Sequence, residues 1–269
     1  MSDYTPDYPI VLGICGQAGT GKTSTADRLA PLGGREETPI DWDHLYFALP
    51  LYEIVSIKRN IEGDMRKDRI RYELHKTLVD LFGSSPLYGA PKYDTLVQLV
   101  QQLTDTPLGA GESEKPRSFL QQTGTLLRDV NEDCFVNWVK KMIKTRYVQL
   151  RQEGRPYAFV VSDVRMPNEA AMIKAQPNGR LLKFTASDEV RHDRLMKRDG
   201  FVPDAVQAAH ASEQVDLIPN ELFDHIIDTN SLSLDQQARV TEAVVNVWLE
   251  ETLEPVGKFS NISKGVNIA

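Results

Sequence analysis

Short apolar runs alternate with longer stretches in which apolar residues recur every three or four positions. This pattern predicts strands separated by helices. Ile10-Val11-Leu12-Gly13-Ile14-Cys15 reads as a buried strand, and Thr23 to Leu32 as the helix after it, with a stop at Pro31-Leu32-Gly33-Gly34. Thr38-Pro39-Ile40 is a candidate second strand ending at Asp41-Trp42-Asp43-His44. Helical spacing then covers Phe47 to Asn60, Arg66 to Phe82, Asp94 to Leu103, Pro116 to Arg128 and Asp133 to Gln152. The longest of these carries the stripe Phe135, Val139, Met142, Ile143 and Leu150. Tyr157 to Val161 is a third strand ending at Ser162-Asp163, followed by a helix from Pro167 to Gln176. Arg180 to Thr185 is a fourth strand, and a helix capped by Ser187 or Asp188 runs to Asp199-Gly200. His225 to Asp228 is the last strand. Leu232 to Leu253 closes the chain as an amphipathic helix with Val240, Ala243, Val244, Val247 and Trp248 on one face. Alternating strands and helices imply an α/β fold with a parallel sheet covered on both faces.

The organisation expected is one domain over residues 1–269, with a core from 10–45 and 155–253. Residues 46–154 form a helical insert, 187–215 a lid and 254–269 a tail, and Met1 to Pro9 is a loose arm. Parallel sheets of this kind bind ligands beyond the carboxyl ends of their strands. Those ends carry Gly16, Asp41 and Asp43, Asp163 and Arg165, Thr185, and Asp228 and Asn230.

The sharpest motif stands at the first of these ends. Gly16-Gln17-Ala18-Gly19-Thr20-Gly21-Lys22-Thr23 fits G-x-x-x-x-G-K-[ST], the phosphate-binding loop, with a strand before it and a helix behind it. At ordinary residue frequencies a chain of this length yields about 0.01 such matches by chance. Glycines let successive N–H groups turn inward around phosphate oxygens, and the helix start adds partial positive charge. Lys22 would reach the β- and γ-phosphates, and the Thr23 hydroxyl would ligate Mg²⁺. The loop through Ser24 is thereby a candidate ATP site, to which Asn230 at the end of the last strand is added.

Composition narrows the acceptor. A net charge of −7 argues against a general nucleic-acid binder while permitting a local basic site. No apolar run is long enough to span a bilayer and no signal pattern opens the chain, so a cytoplasmic protein without membrane contact is expected. Cys15 and Cys134 lack metal-ligand spacing and suit a reducing compartment, and the scattered histidines make a zinc site a poor reading.

Further clusters supply charge. In Val160-Val161-Ser162-Asp163-Val164-Arg165 an apolar strand ends in an acid that resembles the second signature of nucleotide sites. Strand alternation aims Asp163 and Arg165 the same way, to hold Mg²⁺ and an acceptor phosphate or to form a strand-end ion pair. Arg117, Gln121, Gly124 and Arg128 share one helical face, a polar wall for a nucleotide or a solvated surface. Arg191, Arg194 and Arg198 share another, suited to the charge of a transferring phosphoryl group or to neutralisation by Asp188, Glu189, Asp193 and Asp199. Ser212-Glu213 reads as a helix cap, and Trp42, Trp138 and Trp248 as packing.

The chain resembles the bacteriophage deoxynucleoside monophosphate kinases. The resemblance rests on Gly16–Thr23, Phe47-Ala48-x-Pro50-Leu51, Arg117-x-x-x-Gln121-x-x-Gly124-Thr125-x-x-Arg128, Asp133 to Trp138, Ser162-Asp163-Val164-Arg165-x-Pro167-Asn168-Glu169-Ala170 and Ser212-Glu213. Leu49 departs from the acidic residue expected in the Phe-Ala-x-Pro segment, and 83–115 matches no motif. The resemblance implies a three-layer P-loop kinase fold with a helical monophosphate-binding subdomain and a small Arg-rich lid. It implies transfer of the γ-phosphoryl of ATP to a deoxynucleoside 5'-monophosphate, with Mg²⁺. Lys22, Asp163, Arg165, Arg191, Arg194 and Arg198 would then be catalytic, with Thr23 and Asp163 at the metal. Asp43, Arg117, Gln121, Gly124, Arg128, Trp138, Arg165 and Glu169 would hold the acceptor. Rival readings are a kinase of another small acceptor such as dephospho-coenzyme A, and a nucleotide-dependent switch or assembly ATPase. Small nucleotides are the partners expected, and the closing helix suits packing within its own domain or across a homodimer.

Overall fold

Five strands pair side by side, all parallel, in the order β2-β3-β1-β4-β5. The strands are β1 (Ile10–Cys15), β2 (Asp41–Leu45), β3 (Tyr157–Val164), β4 (Asn178–Thr185) and β5 (His225–Asp228). The structure, a computed structural model, describes residues 8–30, 41–61, 65–83, 91–108, 116–151, 157–200, 202 and 215–253. The expected arm up to residue 7, the stop at 31–34, the strand residues 38–40, Ser212-Glu213 and the tail 254–269 lie outside the described residues.

The pleat of β1 explains the layers. Leu12 and Ile14 face one way, onto Ala26 and Leu29 of α1 (Lys22–Leu29) and Val245 of α9 (Leu234–Leu253). Val11 and Cys15 face the other way, into a continuous core that also holds Phe159 and Val161 of β3. On that side lie α2 (Leu49–Asn60), α3 (Arg66–Phe82), α4 (Tyr93–Asp105), α5 (Arg117–Val130), α6 (Cys134–Arg151) and α7 (Pro167–Lys174). α8 (Asp188–Asp199) follows β4. The result is an α/β protein with a parallel sheet between helical layers, as its alternating pattern predicts.

The helices α2 to α6 occupy the insert expected between β2 and β3, and their apolar stripes merge with the sheet's own core. Leu74 and Leu78 of α3 and Leu103 of α4 belong to the same cluster as Phe159 and Val161. Lys58 of α2 is buried and donates to the carbonyls of Leu103 and Thr104, closing the end of α4. Burial lowers its pKa. Both cysteines are buried, which pushes the Cys15 thiol up to about 11 and the Cys134 thiol up to about 12. Neither is therefore a thiolate at neutral pH.

Some elements differ from expectation. β2 occupies Asp41–Leu45, where the strand's end was expected; it is an edge strand, which tolerates polar residues. β3 continues through Ser162-Asp163-Val164, because Val164 still pairs with Cys15. In α9 the expected apolar face is met in part: Val244 and Trp248 pack against the core. Val240 and Val247 are exposed, while Gln237, Ala238, Thr241 and Val245 are buried. Gln237 Nε2 donates to the buried Thr20 carbonyl at 2.8 Å.

Because one core spans the sheet and the helical insert, Leu78→Ala should cost about 2–5 kcal/mol. Urea unfolding followed by far-UV circular dichroism and tryptophan fluorescence should show one shared transition at lower midpoint.

Candidate active site

The carboxyl ends of β1, β2 and β3 open on a cavity of about 510 Å³. One wall is the loop between β1 and α1, contributing Ala18, Gly19, Gly21, Lys22, Thr23 and Ser24. The loop's shape follows from its glycines. Gly19 and Gly21 take φ values of 87° and 91°, which side chains disfavour. A Cβ on Gly19 would stand 2.7 Å from the Arg191 carbonyl oxygen, and one on Gly21 2.6 Å from Gln237 Oε1. Lys22 Nζ folds back to the carbonyls of Gly16 and Gln17, the latter at 2.9 Å.

The opposite wall is basic. Arg117, Gln121, Gly124 and Arg128 of α5 all line the cavity, so their shared face is turned inward. Asp163 and Arg165 line it too, from the end of β3 and the residue after it, as does Arg198 near the end of α8. The guanidiniums of Arg117, Arg128 and Arg198 pair with carboxylates. Arg128 donates to Glu169 at 3.0 Å and lies 4.6 Å from the Phe135 ring centre. The other Glu169 oxygen accepts the backbone N–H groups of Arg165 (2.8 Å) and Met166 (3.1 Å), which caps α7. Only 2% of that side chain is exposed. Glu169 itself lines the cavity, as expected, and there holds Arg128 and the Arg165 main chain. Arg117 and Arg198 both pair with Asp199, at 3.0 and 2.6 Å. The Arg198 hydrogen bond, followed by Arg117, holds the Asp199 carboxyl below its usual range.

Asp163 ties the end of β3 to the start of α2. Its oxygens accept N–H groups from Phe47 and Ala48, each at 2.8 Å. Ala48 is the N-cap of α2 and has no side chain to cap it, so Asp163 supplies the acceptors. Burial raises the Asp163 pKa, while these amides and Arg165 oppose the rise.

Other expected site residues stand elsewhere. Arg191 donates to the Ala18 carbonyl at 3.2 Å and pairs with Asp188. Arg194 donates to the carbonyls of Thr229 (2.6 Å) and Leu232 (3.1 Å), and more weakly to that of Gly19. Both therefore brace the loop's outer side instead of lining the cavity. Gly16 and Thr20 shape the loop internally, with Thr20 Oγ1 donating to the Gln17 carbonyl. Asn230 accepts the Ser187 N–H at the head of α8. Asp43 pairs with Arg146, and Trp138 is buried in the core with 4% exposure. Sequence spacing missed Gln237, which holds the Thr20 carbonyl, Thr229, whose hydroxyl donates to the Thr185 carbonyl and receives Arg194, and the group Asp27, His44, Tyr46 and Ser162. Nothing in the spacing of these residues marks them, since their contacts span up to 217 positions.

No protein-family model matches the chain, and no curated protein sequence matches it. Among solved structures, the chain is similar to TT1252 from Thermus thermophilus, at 18% identity and a TM-score of 0.42, covering 90% of this chain and 98% of that one. It is also similar to a dephospho-CoA kinase from Campylobacter jejuni, at 13% identity and a TM-score of 0.41, covering 88% and 96%. An uncharacterized protein from Eubacterium ventriosum gives 11% identity and a TM-score of 0.36 over 88% and 98%. Among the described residues no helix is long and apolar enough to cross a membrane.

The Glu169 carboxylate predicts a large effect from a residue that barely reaches solvent. Glu169→Ala should cost about 3–5 kcal/mol, because it strands the Arg128 charge and two amides. Chemical denaturation of the purified variant checks this.

Proposed function

We propose that the protein transfers the γ-phosphoryl group of ATP to a deoxynucleoside 5'-monophosphate, giving ADP and the deoxynucleoside diphosphate. The observation that carries the reading is one cavity with a phosphate-binding loop on one wall and Arg117, Arg128, Arg165 and Arg198 on the other. A switch or assembly ATPase needs only the first wall. A second set of guanidiniums facing the loop fits an acceptor that is itself a phosphate. Gln121 lines the same wall and suits a base edge, and the absent side chain of Gly124 makes room for the Arg128 guanidinium, 3.2 Å from where a Cβ would stand.

The residues at the loop also fit magnesium. Among the described residues no group of three His, Cys, Asp or Glu is poised to hold a metal ion. Mg²⁺ is commonly held through substrate phosphates, waters and one or two protein oxygens, which the Thr23 hydroxyl and Asp163 can provide. Bound there, it would neutralise charge on the donor phosphates. The chain's own residues do the remainder. Lys22 exchanges its bonds to the loop carbonyls for donor phosphate oxygens. Arg165 and Arg128 orient the acceptor phosphate, whose oxygen is already anionic and needs no strong base. Arg117 and Arg198 add positive charge where the transferring group passes. Positioning and electrostatics thereby carry the rate.

An acceptor screen tests the proposal: Mg-ATP with each deoxynucleoside monophosphate, with dephospho-coenzyme A and with water alone, following ADP. Release that depends on a deoxynucleoside monophosphate is expected; release with dephospho-coenzyme A alone, or equal release with water, would sink it. Lys22→Ala should lower kcat about a hundredfold or more. Arg165→Ala should raise the acceptor KM while leaving affinity for an ATP analogue unchanged, as steady-state kinetics and calorimetry would read.

A further inference from the structure

Gln237 stands in the first turn of α9 and is fully buried. Its amide lies against Gly21: a Cβ on that glycine would stand 2.6 Å from Oε1 and 2.9 Å from Nε2. Nε2 donates to the Thr20 carbonyl at 2.8 Å, and a carbonyl only accepts, so the nitrogen has to be the atom facing it. The Thr229 hydroxyl lies 3.4 Å from the same carbonyl but gives its one hydrogen to the Thr185 carbonyl at 3.0 Å. Gln237 is therefore the donor that serves Thr20 among the described residues. Its Oε1 is buried and meets no hydrogen-bond partner there. An apolar side chain of similar size would fill the space without an unserved oxygen, so what the amide adds is the nitrogen.

The Thr20 carbonyl and the Gly21 N–H belong to one planar unit. No cis peptide bond occurs among the described residues, and a trans unit points its C=O and N–H in opposite directions. Thr20 is 1% exposed, and its carbonyl is drawn inward to Gln237. The Gly21 N–H is thereby turned the other way. On that side Gly21 lines the cavity, and among the described residues no group accepts its N–H. Glycine takes φ values of either sign with similar ease. The loop's own covalent geometry therefore does not keep this peptide one way up, and a bond from outside the loop does.

We propose that Gln237 is a positioning residue that, by holding the Thr20 carbonyl, aims the Gly21 N–H at a phosphate oxygen of the bound nucleotide. Glycine is then required at position 21 on two grounds: its φ of 91°, and the Gln237 amide that occupies the place of a side chain. The inference rests on the reading that the loop takes a nucleotide phosphate and is independent of which acceptor is used.

Calorimetry and nitrogen-15 NMR with a non-hydrolysable magnesium-ATP analogue test the assignment. In the unaltered protein the Gly21 amide proton should move downfield on binding, and its nitrogen should couple to phosphorus-31 across the hydrogen bond. Binding with neither change would overturn the proposal and leave the nucleotide reading intact; no binding at all would overturn both. Gln237→Met keeps the bulk and removes the donor. It should weaken the analogue about tenfold, the worth of one hydrogen bond, and abolish the Gly21 shift at saturation. Gln237→Glu should lose more, because a carboxylate cannot donate and repels the carbonyl. Unchanged affinity in Gln237→Met, or a Gly21 shift that persists in it at saturation, would overturn the role, since a contact that only stabilised the fold would leave that shift in place. If neither variant folds, the Gly21 amide of the unaltered protein still decides. Failure of the acceptor screen alone would leave this result standing.

Discussion

A loop that turns its N–H groups inward to meet a phosphate must turn carbonyl groups outward, and buried carbonyls need donors. The rest of the structure depends on meeting that demand. Gln237 of α9 serves the Thr20 carbonyl, Arg191 of α8 serves Ala18, and Lys22 closes on Gly16 and Gln17. Thr229, after β5, donates its hydroxyl to the Thr185 carbonyl and receives Arg194, which also reaches toward the Gly19 carbonyl. The final third of the chain is thus recruited to shape eight residues near its beginning.

The basic wall obeys a different constraint. Guanidiniums gathered around one cavity repel one another unless counter-charges lie beside them. Glu169 and Asp199 fill that role, and each binds more than one partner. Glu169 lines the cavity beside Arg128, and Asp199 joins Arg117 to Arg198, while all three arginines line the cavity. The negative net charge of the whole protein and the positive charge of this wall are compatible for the same reason.

Much of this was legible in the chain because it is local. The strands, the phosphate-binding loop and the inward face of α5 each follow from spacing within a few turns or a few residues. Arg191 and Arg194 share their helical face with Arg198, yet only Arg198 reaches the cavity; the partners that divide them are main-chain carbonyls, which have no sequence signature. The face of α9 was legible only in part: Val244 and Trp248 pack on the core, but the polar Gln237 and Thr241 are buried as well, which an apolar pattern does not mark. Trp138, in a segment that resembles an acceptor site, is instead a core side chain of α6. The meeting of Asp27, His44 and Ser162 depends on strand order, which brings β2 against β3 and both against α1.

The close fit of Gly19 against the Arg191 main chain joins the phosphate-binding loop to the first turn of α8. α8 runs roughly 18 Å, at 1.5 Å per residue, to the Asp199 that grips Arg117 on the far wall. A single helix therefore abuts both walls of the cavity.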